Sequence, residues 1–513
     1  MRLTDKRILL LVILVYFVIF GVLTSLRHYN FETQAWDLAA FVQTMWNTTQ
    51  GRVMFNNLEQ VSNHLGLHMS PWLFALVPGY AVFPTPYFLL IAQTLALALG
   101  AWPLYLLAQK VIGRKPLSLL LVFLYLLYPS LHWSNFYDFH EITFFIPLFL
   151  AAFYFAETRR WGWAGIFFAL AASTKEDAIL AVMFAGIYFL FCKTDVIASD
   201  NFFVRLLHFV RKDHRFFPSL RVRQPAGAAI LPYFKKNKIR IFGLTVIVLA
   251  LIYFIIAVKI LMPALGGGVL RFDRYANFGA TPTEAITTAI TNPILVAQTI
   301  FTGEKLLYLL ILLLPVVFLP LFSWRTLILL LPGLPENLLT NYTFQFSGLY
   351  HYDSILIPAI FIGAIFGARN FLDWKPRWER YLFWILITAT AISFLARSPI
   401  NFKNFPLHYF RTSAQETAYR KLVALAPPGI SVAATTNLVP HLSHREHAYA
   451  LGVEKMAVDM VIADLADTFG FKSAEEMNQY LESYTQSGFY QVQLFEERYL
   501  VIISNKLKLV PKE

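Results

Sequence analysis

Ionisable residues gather at a few points of an otherwise apolar chain, and their types suggest chemistry. Asp37 follows Trp36; a carboxylate there can take a proton from a hydroxyl as a general base, or it can cap a helix. Asp138, His140 and Glu141 fall within four residues. A carboxylate, an imidazole and a second carboxylate at that spacing can bind a divalent cation or a sugar, or can form a solvated turn. Lys175-Glu176-Asp177 separates two apolar runs with no long loop between them. Such charges must pair, reach the interface or line a wet space, and Lys175 suits an anionic phosphate. In Tyr350-His351-Tyr352-Asp353 the tyrosines fit an interfacial belt, which leaves His351 and Asp353 as candidates. His64 and His68 read equally as ligands and as interfacial hydrogen-bonders. His441 and His444, three residues apart, can share one helix face, as a metal pair would.

The elements that position these groups follow from composition. Of 513 residues 57% are hydrophobic and 14% charged, far too apolar for a soluble protein of this length. The formal charge of +12 does not indicate nucleic acid, because the basic residues sit mostly in short loops between apolar runs. One cysteine, Cys192, excludes an internal disulfide and a multi-cysteine metal site. The run from Ile8 to Leu26 lacks a small-x-small cleavage site and reads as an uncleaved first span.

About eleven spans are expected, over 8–26, 87–109, 117–131, 142–158, 161–174, 178–192, 241–260, 306–323, 325–338, 354–368 and 381–396. The run 72–83 is too short to cross and reads as re-entrant or interfacial. Trp36 to Trp46 has apolar residues at helical spacing and suits a helix lying on the membrane surface. Loops alternate in charge: the N-terminus, 110–115, 159–160, 369–380 and above all 193–240 are basic, and the opposite set is not. By the positive-inside rule the N-terminus and basic loops are cytoplasmic, and an odd span count puts the C-terminus outside. All five polar clusters then share the outer face. The expected organisation is a membrane domain over 1–396, with a first outer loop at 27–86, and an extracytoplasmic domain over 397–513. In that tail 430–434, 458–463 and 492–503 read as strands, and 473–483 as a helix capped by Ser473 with Glu476 in the capping-box position.

The chain has no P-loop, G-x-G-x-x-G turn, G-x-S-x-G elbow or H-E-x-x-H helix, which disfavours ATP hydrolysis, nicotinamide chemistry and serine hydrolysis. Through Trp36-Asp37-Leu-Ala-Ala-Phe41-Val-Gln43-Thr-Met-Trp46-Asn47, His68-Met-Ser-Pro71, Gln93 to Leu107, Asp138-Phe-His140, Lys175-Glu-Asp177, Tyr350-His-Tyr352 and Pro440 to Arg445 it resembles a domain-of-unknown-function family of prokaryotic polytopic membrane proteins, grouped with the GT-C glycosyltransferases. One departure is Val42, where an acidic residue beside Gln43 is expected.

The resemblance implies a GT-C fold and sugar transfer from a polyprenyl-phosphate donor at the outer face of the plasma membrane, to a glycan, lipid or protein acceptor. It also implies carboxylates in the first two outer loops, places that Asp37 and Asp138 occupy. Asp37 is then the expected base. Candidates for the phosphate are Lys175, His351, His140 and Arg271, or Mg²⁺ or Mn²⁺ held by Asp138, Glu141 and His140. Glu176, Asp177, Asp353, His64, His68, His441 and His444 complete the candidate set. A transporter or flippase for lipid-linked sugars would show mid-span charges and inverted repeats, and neither is evident. A non-catalytic assembly or sensor protein would be indifferent to loss of Asp37.

Overall fold

A computed structural model describes residues 3–191, 238–268, 272–452 and 456–507. Arg271 and nearly all of the basic 193–240 loop lie outside the described residues. Five of the described helices are long and apolar enough to cross a bilayer: Asp5–Tyr29, Pro86–Ile112, Lys238–Ala264, Leu356–Trp374 and Pro376–Arg397. Two bent pairs, Lys115–Leu126 with Pro129–Phe136 and Pro293–Ile300 with Gly303–Val316, would raise the number to seven. Three of the expected spans are not continuous helices, and 117–131 is one of them, bending by 41° between Leu126 and Pro129. The run 306–323 breaks near Pro315, where Val317 and Phe318 take left-handed φ of 50° and 54°. The run 325–338 is a 3₁₀ turn, Thr326–Leu330, and a short helix, Gly333–Leu338, separated at Pro332. Proline removes a backbone donor and clashes with the preceding turn, so apolarity alone does not make these runs one helix.

Leu356–Trp374 is the most enclosed of the five, with most of its residues buried. Its Gly363 and Gly367 face the broken 319–322 segment, and a Cβ on Gly367 would stand 1.8 Å from the Leu319 carbonyl oxygen. A second close approach joins Glu176–Phe191 to Lys238–Ile256, where Gly186 and Gly243 meet. Small residues let helix backbones touch where lipid supplies no hydrophobic drive for association.

Beyond Arg397 the chain builds a five-stranded sheet: β1 Val432–Ala434, β2 Ala448–Ala450, β3 Met460–Asp464, β4 Tyr490–Phe495 and β5 Tyr499–Ser504, in the order β2-β1-β3-β5-β4. β1 pairs in parallel with β2 and β3, while β5 runs antiparallel to β3 and β4. The expected single strand at 492–503 is thus a hairpin, turning at Glu496 and Glu497 with φ of 52° and 54°. Side chains alternate across the sheet, as a two-residue period requires. Val432, Ala434, Met460 and Ile462 face one core, Ala433, Val461 and Ala463 the other. Helix Ala474–Thr485, capped by Ser473, covers the second core. The first is covered by Ala414–Leu425 and by Phe31, Ala35, Ala39, Ala40 and Leu58 of the segment after the first long helix.

The sheet domain therefore sits on the segment that carries Asp37. The helix Ala40–Thr49 is buried on nearly every side rather than lying on the membrane surface, because the tail covers the face its pattern leaves polar. Gln43 shows how: its Nε2 donates to the Glu446 carbonyl at 2.9 Å and to Asn57 Oδ1. Val42 beside it is fully buried, so a carboxylate there would be enclosed in the hydrophobic core.

The glycine contact gives a direct test. Gly243→Ala should destabilise the protein by about 1–3 kcal/mol, the usual cost of overpacking. Gly165→Ala, where a Cβ would meet nothing within 4 Å, should be close to neutral. Thermal unfolding of both variants in detergent compares them.

Candidate active site

Asp37 lies on a single π-helical turn, Ala35–Ala39, that runs into Ala40–Thr49. Such turns are rare and recur at functional sites. The turn's leading N–H groups are met by side chains distant in sequence: Gln34 N donates to Asp138 Oδ2 at 2.7 Å, and Ala35 N to Thr436 Oγ1 at 3.2 Å. This anchoring fixes Asp37. Its Oδ2 accepts from the Tyr137 hydroxyl at 2.8 Å, and its Oδ1 lies 3.1 Å from His140 Nε2. The side chain remains 21% exposed. Burial works against its charge, but the hydrogen bond and charge of His140, then Tyr137 and Arg27, outweigh it and hold Asp37 below the usual carboxylate range.

Asp138 is placed differently. It is fully buried, forms an ion pair with Arg27, and spends its other oxygen on Gln34 N. Burial, only partly offset by Arg27, pushes its pKa up to about 6. Arg27 also donates to the Glu32 carbonyl at 2.7 Å. Asp138 thus joins the end of the first long helix to the turn that carries Asp37. Its own loop is gripped by buried Gln93: Gln93 Nε2 donates to the Asp138 carbonyl at 3.1 Å, and His140 N donates to Gln93 Oε1 at 2.8 Å.

From Asp37 the polar groups continue outward. The His140 ring stacks on His351 at 3.6 Å between centroids, and Tyr137 packs edge-on against Tyr350. Burial, together with His140 and Lys175, pushes His351 well below its usual range, which makes it a neutral imidazole. Lys175 lies 3.8 Å from Asp177. Although burial opposes its charge, Asp177, Glu141, Glu176 and Glu336 together raise its pKa. His68 Nδ1 pairs with Glu176 at 3.0 Å, and the other Glu176 oxygen accepts from Met69 N. His64, fully buried, bonds Glu59 through Nδ1 at 2.9 Å.

These groups do not fit the expected metal centre. The Asp138 carboxylate turns to Arg27 and Gln34, and among the described residues no three His, Cys, Asp or Glu side chains are gathered as a metal site. Asp353 is buried beneath the cluster, accepting from Tyr308 at 2.6 Å. His441 and His444 find other partners than those of Asp37. His441 stacks on His28 at 4.1 Å, and His444 Nε2 bonds the Tyr80 hydroxyl at 2.7 Å, so both fasten the tail to the helical body.

Several residues of the cluster escaped sequence reasoning. Glu336 lay inside an apolar run read as a span. Glu59 carried no local signal, and Gln93 only opened a stretch that resembles the family. Arg274 stands in the same loop as Arg271, with its guanidinium 4.2 Å from the Tyr342 ring centroid and 5.6 Å from that of Tyr352. Its one sequence signal was to be a basic residue in a loop poor in them.

A family described as "Predicted membrane protein (DUF2079)" matches residues 27–501. The chain belongs to this family. No curated protein matches it. Among solved structures it is similar to ArnT from Cupriavidus metallidurans in the apo state, at 10% identity and a TM-score of 0.47, over 97% of this chain and 98% of that one. The same enzyme bound to undecaprenyl phosphate gives 11% identity and a TM-score of 0.45, over 98% and 99%. The Archaeoglobus fulgidus oligosaccharyltransferase, in complex with Zn and sulfate, gives 13% and 0.42, over 95% of this chain and 73% of that one. In this family member Asp37, its partners Tyr137 and His140, and His351 stacked on His140 all lie within the matched segment.

Two outcomes separate Asp37 from Asp138. Asp138→Asn leaves Arg27 buried without its counter-ion and should cost about 3–5 kcal/mol of stability, whereas Asp37→Asn should cost about 1 kcal/mol or less; chemical denaturation in detergent reads both. The second outcome concerns charge. Asp37 is ionised above its depressed pKa and becomes neutral as pH falls through it. His140→Gln removes the partner that lowers Asp37 most while burial remains, so the midpoint should move upward. Isotope-edited infrared titration of the carboxylate band measures the shift, and an unchanged midpoint would contradict the assignment.

Proposed function

We propose that this protein is an integral membrane glycosyltransferase that uses a polyprenyl-phosphate sugar and Asp37 as general base. The observation that carries this reading is Asp37 itself. It is a charged, partly exposed carboxylate at the helix ends, held by Tyr137 and His140 on a turn anchored from two sides. In the proposed inverting reaction Asp37 takes the proton of the acceptor hydroxyl as its oxygen bonds to the anomeric carbon. The bond from that carbon to the phosphate oxygen breaks, and its electron pair leaves on the lipid phosphate. A positioned base contributes about 10²–10⁴-fold to such a step. The positive-inside pattern supports an extracytoplasmic face for this chemistry.

The leaving phosphate needs a cation. Lys175 is outnumbered by the four carboxylates around it. Arg274 is the better partner: it lies against two tyrosine rings, and among the described residues it has no carboxylate in ion-pair contact. A planar guanidinium offers paired donors to phosphate oxygens. The tyrosine faces beside it suit a sugar ring or an isoprenoid. No role in these steps is assigned to a metal, since the expected donor set is not assembled.

The test uses purified protein in liposomes with a panel of polyprenyl-phosphate sugars and varied acceptors. Wild type should release polyprenyl phosphate, and Asp37→Asn should slow release by about 10²–10⁴-fold. Arg274→Ala should weaken donor use by about tenfold or more, the loss expected for a charged hydrogen-bond pair. No release by wild type across the panel would contradict the proposal.

A further inference from the structure

Between the loop that carries Arg274 and the helix Gly303–Leu313, the chain forms two short helices, Pro282–Thr291 and Pro293–Ile300. Neither contains a buried residue. Ile286 is 63% exposed, Ile290 75%, Ile294 70% and Phe301 71%. From Tyr275 to Gly303 the only charged residue is Glu284, and its carboxylate turns back to accept from Ala280 N at 2.9 Å. The first helix is amphipathic. Ile286, Ala289 and Ile290 share one face, and Glu284, Thr287 and Thr291 the other. An apolar surface of this size without a protein partner marks an interaction site.

We propose that this hairpin is a membrane-interface element whose Ile286–Ile290–Ile294 face is buried among lipid acyl chains at the same end of the molecule as Asp37. Three observations select lipid as the occupant. The exposed face continues onto Gly303–Leu313, where Leu306, Leu307 and Leu310 are also exposed. That helix joins Pro293–Ile300 through a 69° bend, so when one stands along the bilayer normal the other lies nearly in its plane. The anchoring is at the site's end: Lys305 Nζ donates to the Leu338 carbonyl at 2.6 Å and Asn341 N to the Arg274 carbonyl at 2.8 Å. Threonine hydroxyls on the opposite face bond backbone carbonyls one turn earlier, Thr287 to Thr283 at 2.9 Å and Thr291 to Thr287 at 2.8 Å. They can therefore lie at the headgroup level without leaving a donor unmet. A helix with few charges and one strong apolar face inserts about 5–10 Å below that level. This inference does not depend on the proposed sugar transfer.

The test is spin-label accessibility in phosphatidylcholine–phosphatidylglycerol liposomes. Cys192→Ser provides a cysteine-free full-length chain, and single cysteines are placed at Ile286, Ile290 and Ile294 and at Thr287 and Thr291. Labels at the three isoleucines should collide with oxygen several-fold more than with a water-soluble nickel chelate, and labels at the threonines should show the reverse. Equal access of the nickel chelate at all five sites would overturn the proposal by putting the hairpin in water. Shielding of the isoleucine sites from both reagents would overturn it by putting protein, either the tail or a second copy, on that face.

Discussion

The placement of Asp37 depends on one buried ion pair, Arg27 with Asp138. Arg27 ends the first long helix, and Asp138 sits in the loop after Pro129–Phe136. An unpaired charge at that depth costs several kcal/mol, so the two elements are held together. The remaining Asp138 oxygen caps the turn of Asp37 through Gln34 N, and Thr436 of the tail meets the next N–H. The sheet domain is in this sense part of the site: its first core is completed by Phe31, Ala35, Ala39 and Ala40. A shift of the tail would be felt first at the leading residues of the turn that holds the carboxylate.

Electrostatics divides the cluster into two parts. Around Asp37 one carboxylate faces an imidazole and a phenol. Around Lys175 one ammonium faces Asp177, Glu141, Glu176 and Glu336. Asp177 already pairs with Lys175 at 3.8 Å, which argues against the phosphate seat that the sequence suggested there and favours Arg274 for the proposed anion. His351 stays neutral for a different reason: burial first, then His140 stacked on it and Lys175, push it well below its usual range.

The sequence carried the coarse arrangement well and the roles less well. Hydropathy announces long apolar helices, and strand alternation announces a small sheet domain, because burial imposes both periods directly. Asp37, His140, Lys175 and His351 were legible as a group, since isolated charges in an apolar chain need partners. What separates Asp138 from Asp37 was not legible. Both are aspartates in loops, and only the folded contacts give one to Arg27 and leave the other facing a histidine. Glu336 was hidden because a single charge does not stop an apolar run from reading as a span, whereas Pro332 nearby does interrupt the helix. The Glu496–Glu497 turn lacked glycine or asparagine, the usual sign of left-handed residues, so one strand was read where two stand.

In the proposed reaction Asp37 and Arg274 act on one ligand, the carboxylate at the acceptor oxygen and the guanidinium at the lipid phosphate. The most direct measurement is a cryo-EM structure of the protein in a nanodisc with a non-hydrolysable polyprenyl-phosphate sugar bound. The phosphate should lie against Arg274, beside Tyr342 and Tyr352, with the anomeric carbon turned towards Asp37. A phosphate seated on Lys175, or a ligand bound away from Asp37 altogether, would contradict it.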